Sequence, residues 1–321
     1  MRVLVVTNIT PDPSYPSRGS FVRDQVEALR AMGVEVETFE FLPGSRRYIP
    51  ATLALRRLLG RERFDLVHAH YGLAAWCAKL AGAKPLVVTF HGTDVRHPVT
   101  GRLSRRLVGR LELAGVASRA LLYPEGGKPG LPVPAGMRAI LPCGADLDLF
   151  RPLAREECRR RLGLRADGRY LFFPSSPGRA VKRHDRAAEV ARIAGAELLD
   201  AANVERGSMP DWINAANAVI TPSENEGFGL GPVEALACNV PVLSTPVGIA
   251  PMLLAGVEGC LVDRFDAPAW AQAAGGHLDA GDPRVAGRPR AEWFSAELMA
   301  ARVLVAYREL LAGGESAAAS A

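Results

Sequence analysis

Several things this chain lacks narrow what it can be. Its five cysteines, Cys77, Cys143, Cys158, Cys238 and Cys260, are odd in number, scattered, and never spaced C-x-x-C. That argues against a disulfide framework or a zinc site and for reduced, mostly buried thiols. Long apolar runs are missing too. The most apolar stretch, Val240 to Val262, is interrupted by Pro241, Pro246 and Pro251, which a membrane-spanning helix would not carry. The opening MRVLVVTNIT is too short for a signal h-region and reads as a buried first strand, so a cytoplasmic protein is expected. No G-x-G-x-x-G follows that strand, which disfavours a nicotinamide oxidoreductase. Aromatic stacking positions are absent among the basic residues, which disfavours nucleic acid as a partner.

What is present is an ordinary soluble composition on 321 residues, room for two doubly wound units. The net charge of +5 is unevenly spread. The first 150 residues carry 20 Lys and Arg against 13 Asp and Glu, the rest 19 against 21. A basic first half suits phosphorylated ligands or an anionic membrane surface.

Apolar runs alternate with helical patterns throughout. Strands are expected at Val3 to Thr7, Val36 to Phe41, Leu66 to His68, Leu86 to Phe90, Ala120 to Tyr123 and Ala139 to Leu141. A second series follows at Tyr170 to Phe173, Glu197 to Leu199, Ala218 to Thr221, Val242 to Ser244 and Cys260 to Val262. Strands spaced by helices mean parallel sheets covered on both sides, hence an α/β chain. The punctuation of LPCGADLDLFRP places the join there. The expected division is residues 1–145, residues 146–295, a last helix over 296–311, and a disordered tail over 312–321.

The richest segment is TPSENEGFGLGPVEALACNVPVLSTPVG, Thr221 to Gly248. It sets Glu226 and Glu234 eight positions apart around a turn containing Gly227, Gly229 and Gly231. The turn leads from a strand into a helix opening near Leu230 or Gly231. Such glycines let backbone approach a ligand, and a helix N-terminus favours an anion. Glu234 is expected in the first helical turn, leaning back toward Glu226. Hydroxyls for the carboxylates and a diphosphate for the amides together suit a sugar nucleotide. Upstream, PGRAVKRHDRA offers Arg179 and Lys182 after a strand, cations suited to a diphosphate. Two cations in a loop are often merely solvated, but the carboxyl ends of parallel strands are where such folds bind ligands.

The segment resembles the E-x7-E signature of retaining glycosyltransferase family 4. The likeness extends over PSRGSFVRDQVEALRAMGVEV, DLVHAHYG, TFHGTD, LPCGADLDLFRP and PGRAVKRHDRA. Asn239 stands where the family usually has Gly, at a helix end that favours a left-handed residue. The resemblance implies a GT-B fold, two Rossmann-like parallel-sheet domains facing across a cleft, with the last helix crossing back onto the first domain. It implies transfer of a sugar from a UDP- or GDP-linked donor to an acceptor hydroxyl, with retention, no metal and no other cofactor. Arg179 and Lys182 would hold the pyrophosphate. The spacing between them is shortened, so Arg183 competes for the role of Lys182. His91 of TFHGTD would contact the donor sugar, with Asp94 as an N-cap or hydrogen-bond anchor. Glu226 would position the sugar, Glu234 the ribose, and Gly227, Phe228, Gly229 and Leu230 would line the donor site. Gly19 would approach the donor's phosphate, although Ser20 as a plain helix cap is an equally good local account.

His68 and His70, two apart near a strand, point the same way, with no third metal ligand at hand. A sugar-nucleotide epimerase is the principal rival reading. A glycoside hydrolase would have no use for the anion loop. Arg46 to Arg63, RRYIPATLALRRLLGRER, combines six arginines with apolar residues in a basic amphipathic pattern. A second cluster lies at Arg102, Arg105, Arg106 and Arg110. The leucines either pack on the domain or dock on anionic lipid, which would suit a lipid-linked acceptor in cell-envelope glycan assembly.

Overall fold

The computed structural model describes residues 1–11, 18–122, 131–132 and 136–319, with side chains to residue 313. The chain divides into two compact units. One is built on Met1–Thr10 and Arg18–Gly144 together with the last helix, the other on Ala145–Ser295.

In the first unit six strands form one sheet: β1 (Arg2–Thr7), β2 (Glu35–Glu40), β3 (Leu66–His70), β4 (Leu86–Phe90), β5 (Leu113–Val116) and β6 (Met137–Ile140), in the order β2-β1-β3-β4-β5-β6. Every pairing is parallel. β1, β3 and β4 are buried almost end to end because both faces of the sheet are covered, and β3 carries His68 and His70 into that interior. On one face Val3, Val5 and Leu66 pack with Val22, Val26 and Leu29 of the helix Ser20–Ala31 and with Met299, Val303 and Tyr307 of the last helix. That last helix runs Ala296–Ala319, past Leu311 into the tail expected to be disordered.

One strand differs from expectation. Ala120 to Tyr123 is not a strand: Arg119–Leu121 is a 3₁₀ turn, and Tyr123 lies outside the described residues. The fifth strand is instead Leu113–Val116, whose Gly115 weakens the strand pattern. The strand packs closely here: a Cβ on Gly115 would lie 2.6 Å from Leu141 Cδ1 and push that side chain aside.

The second unit holds β7 (Tyr170–Phe173), β8 (Glu197–Asp200), β9 (Ala218–Thr221), β10 (Val242–Ser244) and β11 (Leu261–Val262), parallel in the order β11-β10-β9-β7-β8. Its core gathers Leu171, Phe173, Val190, Ile220, Leu243 and Trp270. Asn239 ends the helix Leu230–Ala237 region at φ 56°, the left-handed conformation expected of it.

Candidate active site

In the second sheet β7 and β9 are neighbours, while β8 lies outside β7 and β10 outside β9. The chain therefore leaves the carboxyl ends of β7 and β9 in opposite directions and opens a crevice between them. The two loops at that crevice are the ones the sequence singled out. Glu224 N donates to Val181 O at 3.0 Å and ties them together. Lys182 Nζ donates to both carboxylate oxygens of Glu226, at 2.5 and 2.7 Å, and Ser223 Oγ donates to Oε1 at 2.9 Å. Lys182 and Glu226 are both largely buried. The shortened spacing is resolved by Arg183, which takes φ 57° and turns its guanidinium to Asp185 and Glu224. Of the two cations, it is Lys182 that meets Glu226. Arg179 is exposed, and its side chain has no partner among the described residues.

Gly229 caps the helix Leu230–Ala237 at φ 99°, a conformation only glycine adopts cheaply. A Cβ on Gly231 would come within 2.8 Å of Pro174 Cγ, and one on Gly248 within 2.1 Å of Phe228 O. These glycines thus let the loops after β7, β9 and β10 close on one another. Phe228 buries its ring against Phe294, so only its backbone faces the turn. Glu234 is the fifth residue of its helix, past the first turn where it was expected. It is 5% exposed and ion-paired with Arg206, whose guanidinium lies 4.6 Å over the Phe150 ring. The helix dipole fades beyond the first turn, so the counter-charge beside this buried carboxylate is Arg206. Sequence reasoning missed Arg206 because ERGS carries no motif.

His91 and Gly19 belong to the first unit. Gly19 is the cap of the helix Ser20–Ala31, with φ 73° and a Cβ position 2.3 Å from Ile9 O. Packing alone therefore requires glycine here, and Ser20 is the first helical residue rather than the cap. Asp94 is an anchor: it accepts from the backbone N–H of His91, Gly92 and Gly72 at 3.0, 2.9 and 3.2 Å. Gly92, not Asp94, caps the short helix Thr93–Arg96. His68 and His70 do share a face, with ring centroids 4.4 Å apart. His68 Nδ1 lies 2.5 Å from Tyr307 Oη and its Nε2 2.8 Å from Thr89 Oγ1. His70 Nδ1 lies 3.0 Å from His91 Nε2. No group of three metal-ligating side chains occurs among the described residues.

Residues 2–121 match the family model described as Glycosyltransferase Family 4, and residues 178–279 the model for Glycosyl transferases group 1. The D-inositol 3-phosphate glycosyltransferase of Thermobispora bispora is 29% identical over 84% of this chain and 76% of its own length. That of Mycolicibacterium paratuberculosis is 31% identical over 71% of this chain and 62% of its own length. Among solved structures, sucrose-phosphate synthase from Thermosynechococcus elongatus superposes with a TM-score of 0.75 at 20% identity, covering 98% of this chain and all (100%) of that one. Anabaena HepE in complex with UDP and glucose gives 0.69 at 16%, covering 96% and 100%.

The buried histidines make the fold acid-sensitive. Burial lowers His70 from 6.5 to about 3 and holds His68 and His91 well below the ordinary value. Groups depressed in the folded state give stability that is present above 6.5 and lost as pH falls. Asp94 acts the other way, because burial raises it from 3.8 to about 6 against its backbone hydrogen bonds. Its contribution is present below 3.8 and lost as pH rises through 6. Three depressed histidines outweigh one raised aspartate, so the net effect of these four groups is stability lost as pH falls below 6.5. Urea midpoints should fall steeply from pH 7 to pH 5. A flat profile would mean that these histidines are hydrated or charged in the folded protein.

Proposed function

The chain belongs to glycosyltransferase family 4 and has its GT-B fold of two Rossmann-like parallel-sheet units, and on that footing we propose that it moves a sugar, with retention, from a UDP- or GDP-linked donor to an acceptor hydroxyl. The observation that supports this best is the Lys182–Glu226 pair at the mouth of the β7–β9 crevice. A diphosphate entering there offers Lys182 oxygens in place of the carboxylate, and releases Glu226 toward the sugar. Arg179, Lys182 and the amides of Gly229 and Leu230 then stabilise the departing diphosphate in place of a metal. Glu226 steadies the oxocarbenium-like centre, Glu234 holds the ribose, and His91 holds the sugar. The leaving phosphate receives the acceptor's proton.

Glu226→Gln should lower turnover by on the order of 10²-fold. Affinity for free UDP or GDP should stay equal or rise, since Lys182 is freed from its carboxylate. Lys182→Ala should instead weaken nucleotide diphosphate binding by about 1.5–3 kcal/mol, the worth of a charge-assisted hydrogen bond. Calorimetry with UDP and GDP, and transfer assays with and without EDTA, check both. Loss of nucleotide affinity in Glu226→Gln, or activity abolished by EDTA, would overturn the assignment.

The acceptor reading rests on the first unit. The segment from Arg46 lies in the helix Ser45–Arg61, which runs through Pro50. It buries Ala51 and Leu55 but leaves Ile49 72% and Leu53 50% exposed, with Arg46, Arg47, Arg56 and Arg57 exposed around them. The helix Gly72–Ala81 packs against both this helix and Thr100–Val108, where Val99, Arg102, Leu103 and Arg106 are exposed. Arg105 is committed to Val95 O at 2.7 Å, and Arg110 lies 5.7 Å over the Trp76 ring. Apolar side chains rimmed by arginine fit anionic lipid, each cation contributing about 1 kcal/mol near the surface. No helix among the described residues is long and apolar enough to cross a membrane. A lipid-linked acceptor fits this surface. Co-sedimentation with phosphatidylglycerol vesicles should be strong at low salt, weak at high salt, and reduced by Ile49→Asp with Leu53→Asp. Binding indifferent to lipid charge would favour a soluble phosphorylated acceptor, as the relatives' name describes.

A further inference from the structure

β3 ends at His70 and β4 at Phe90, and their parallel register sets His70 beside Thr89. The ring of His70 thereby reaches His91, the first residue beyond β4, with Nδ1 3.0 Å from Nε2. Two neutral imidazoles at that distance share one N–H and one lone pair. Both rings are kept neutral at physiological pH by burial. Which ring donates follows from the other nitrogen of His70. That residue is fully buried, and its Nε2 has no partner among the described residues. A proton on Nε2 would be a buried N–H with no acceptor, which folded proteins avoid more strictly than an idle lone pair. The proton therefore sits on Nδ1 and is donated to His91 Nε2. His68 keeps the ring from turning over, since it stacks on His70 and is itself held at both nitrogens by Tyr307 and Thr89.

We propose that His70 is a positioning residue that fixes the tautomer of His91, so that His91 presents Nδ1–H as a neutral donor to an oxygen of the bound sugar. The second half of this rests on the reading of His91 as a sugar contact. Phe21 and Tyr71 hold the His91 ring in place, with centroids 4.7 and 4.8 Å away. With its Nε2 lone pair already used, His91 does not serve as a general base for the acceptor hydroxyl. It binds an oxygen without exchanging a proton.

The tautomer is measurable without any ligand. In protein labelled with ¹⁵N-histidine, two-bond ¹H–¹⁵N correlation spectra of the six histidines, assigned with His91→Gln, should show His91 protonated on Nδ1 and bare on Nε2. His70→Leu should return His91 to the Nε2–H form that imidazole side chains favour in water. His70→Asn, whose amide NH₂ stands near the lost Nδ1, should preserve the Nδ1–H form. A wild-type His91 protonated on Nε2 overturns the proposal even if His70→Leu does not fold, and so does a folded His70→Leu whose His91 is unchanged. The sugar contact is tested apart, by calorimetry with UDP and UDP-glucose. His91→Ala and His70→Leu should each weaken UDP-glucose about fivefold to tenfold more than UDP, the worth of one hydrogen bond. Equal weakening of the two ligands would remove the sugar contact while leaving the tautomer result standing.

Discussion

A parallel sheet covered on both faces leaves its chain few places for charge. Its backbone is satisfied by the ladder and its side chains meet helices, so polar groups collect where the strands end and the loops diverge. In the second unit that place is the carboxyl edge of β7 and β9, and the pair held there is Lys182 with Glu226. Neither charge is tolerable half out of water by itself, and together they keep the crevice polar without filling it. Any anion that binds must offer Lys182 at least what Glu226 already gives. That requirement selects for multiply charged oxygens over single carboxylates or chloride, which is the discrimination the proposed diphosphate would need.

The first unit meets the same constraint mostly with neutral groups, Asp94 apart. At the carboxyl edge of β3 and β4 it stacks three neutral rings, His68, His70 and His91, and partners them with Tyr307, Thr89 and one another. Tyr307 comes from the last helix, so the arrangement near His91 depends on the far end of the chain having returned to this sheet. Truncating that helix would remove core packing and, in the same step, the partner of His68 Nδ1.

Much of this was legible in order of residues because it is local. Apolar runs mark the buried strands, the Gly-rich turn and its helix follow from residue chemistry at fixed spacing, and Asn239 takes the left-handed backbone that its place at a helix end demands. Reading failed where the deciding contact is distant. Gly115 hid a strand because what packs closely on it is Leu141, a residue of the neighbouring chain segment. At Gly19 the order of residues gave no sign of the carbonyl of Ile9, which demands glycine whether or not a ligand approaches. Composition marked 312–321 as a disordered tail, yet helix continues to Ala319, since Ala-rich sequence has high helical propensity once a helix is nucleated. Arg206 escaped notice because its partner Glu234 is 28 residues away and only the fold brings them together.

Arg206 changes how the paired glutamates should be understood. Glu226 lies in the loop after β9 and is matched by Lys182 from the loop after β7, whereas Glu234 lies in the second turn of the following helix and is matched by Arg206 from the segment after β8. The two carboxylates eight positions apart are thus fastened to the two strands on the far side of the switch point, one each. Nearby, Arg183 and Arg186 are answered by Asp185 and Glu224. With those charges matched, Arg179 stands exposed and without a partner among the described residues. On the proposed reading an approaching diphosphate meets Arg179 first, drawn by a cation that costs nothing to free, and only then displaces Glu226 from Lys182. On that reading capture and activation are separable steps carried by different cations, and the second would not occur without exposing the carboxylate proposed to face the sugar.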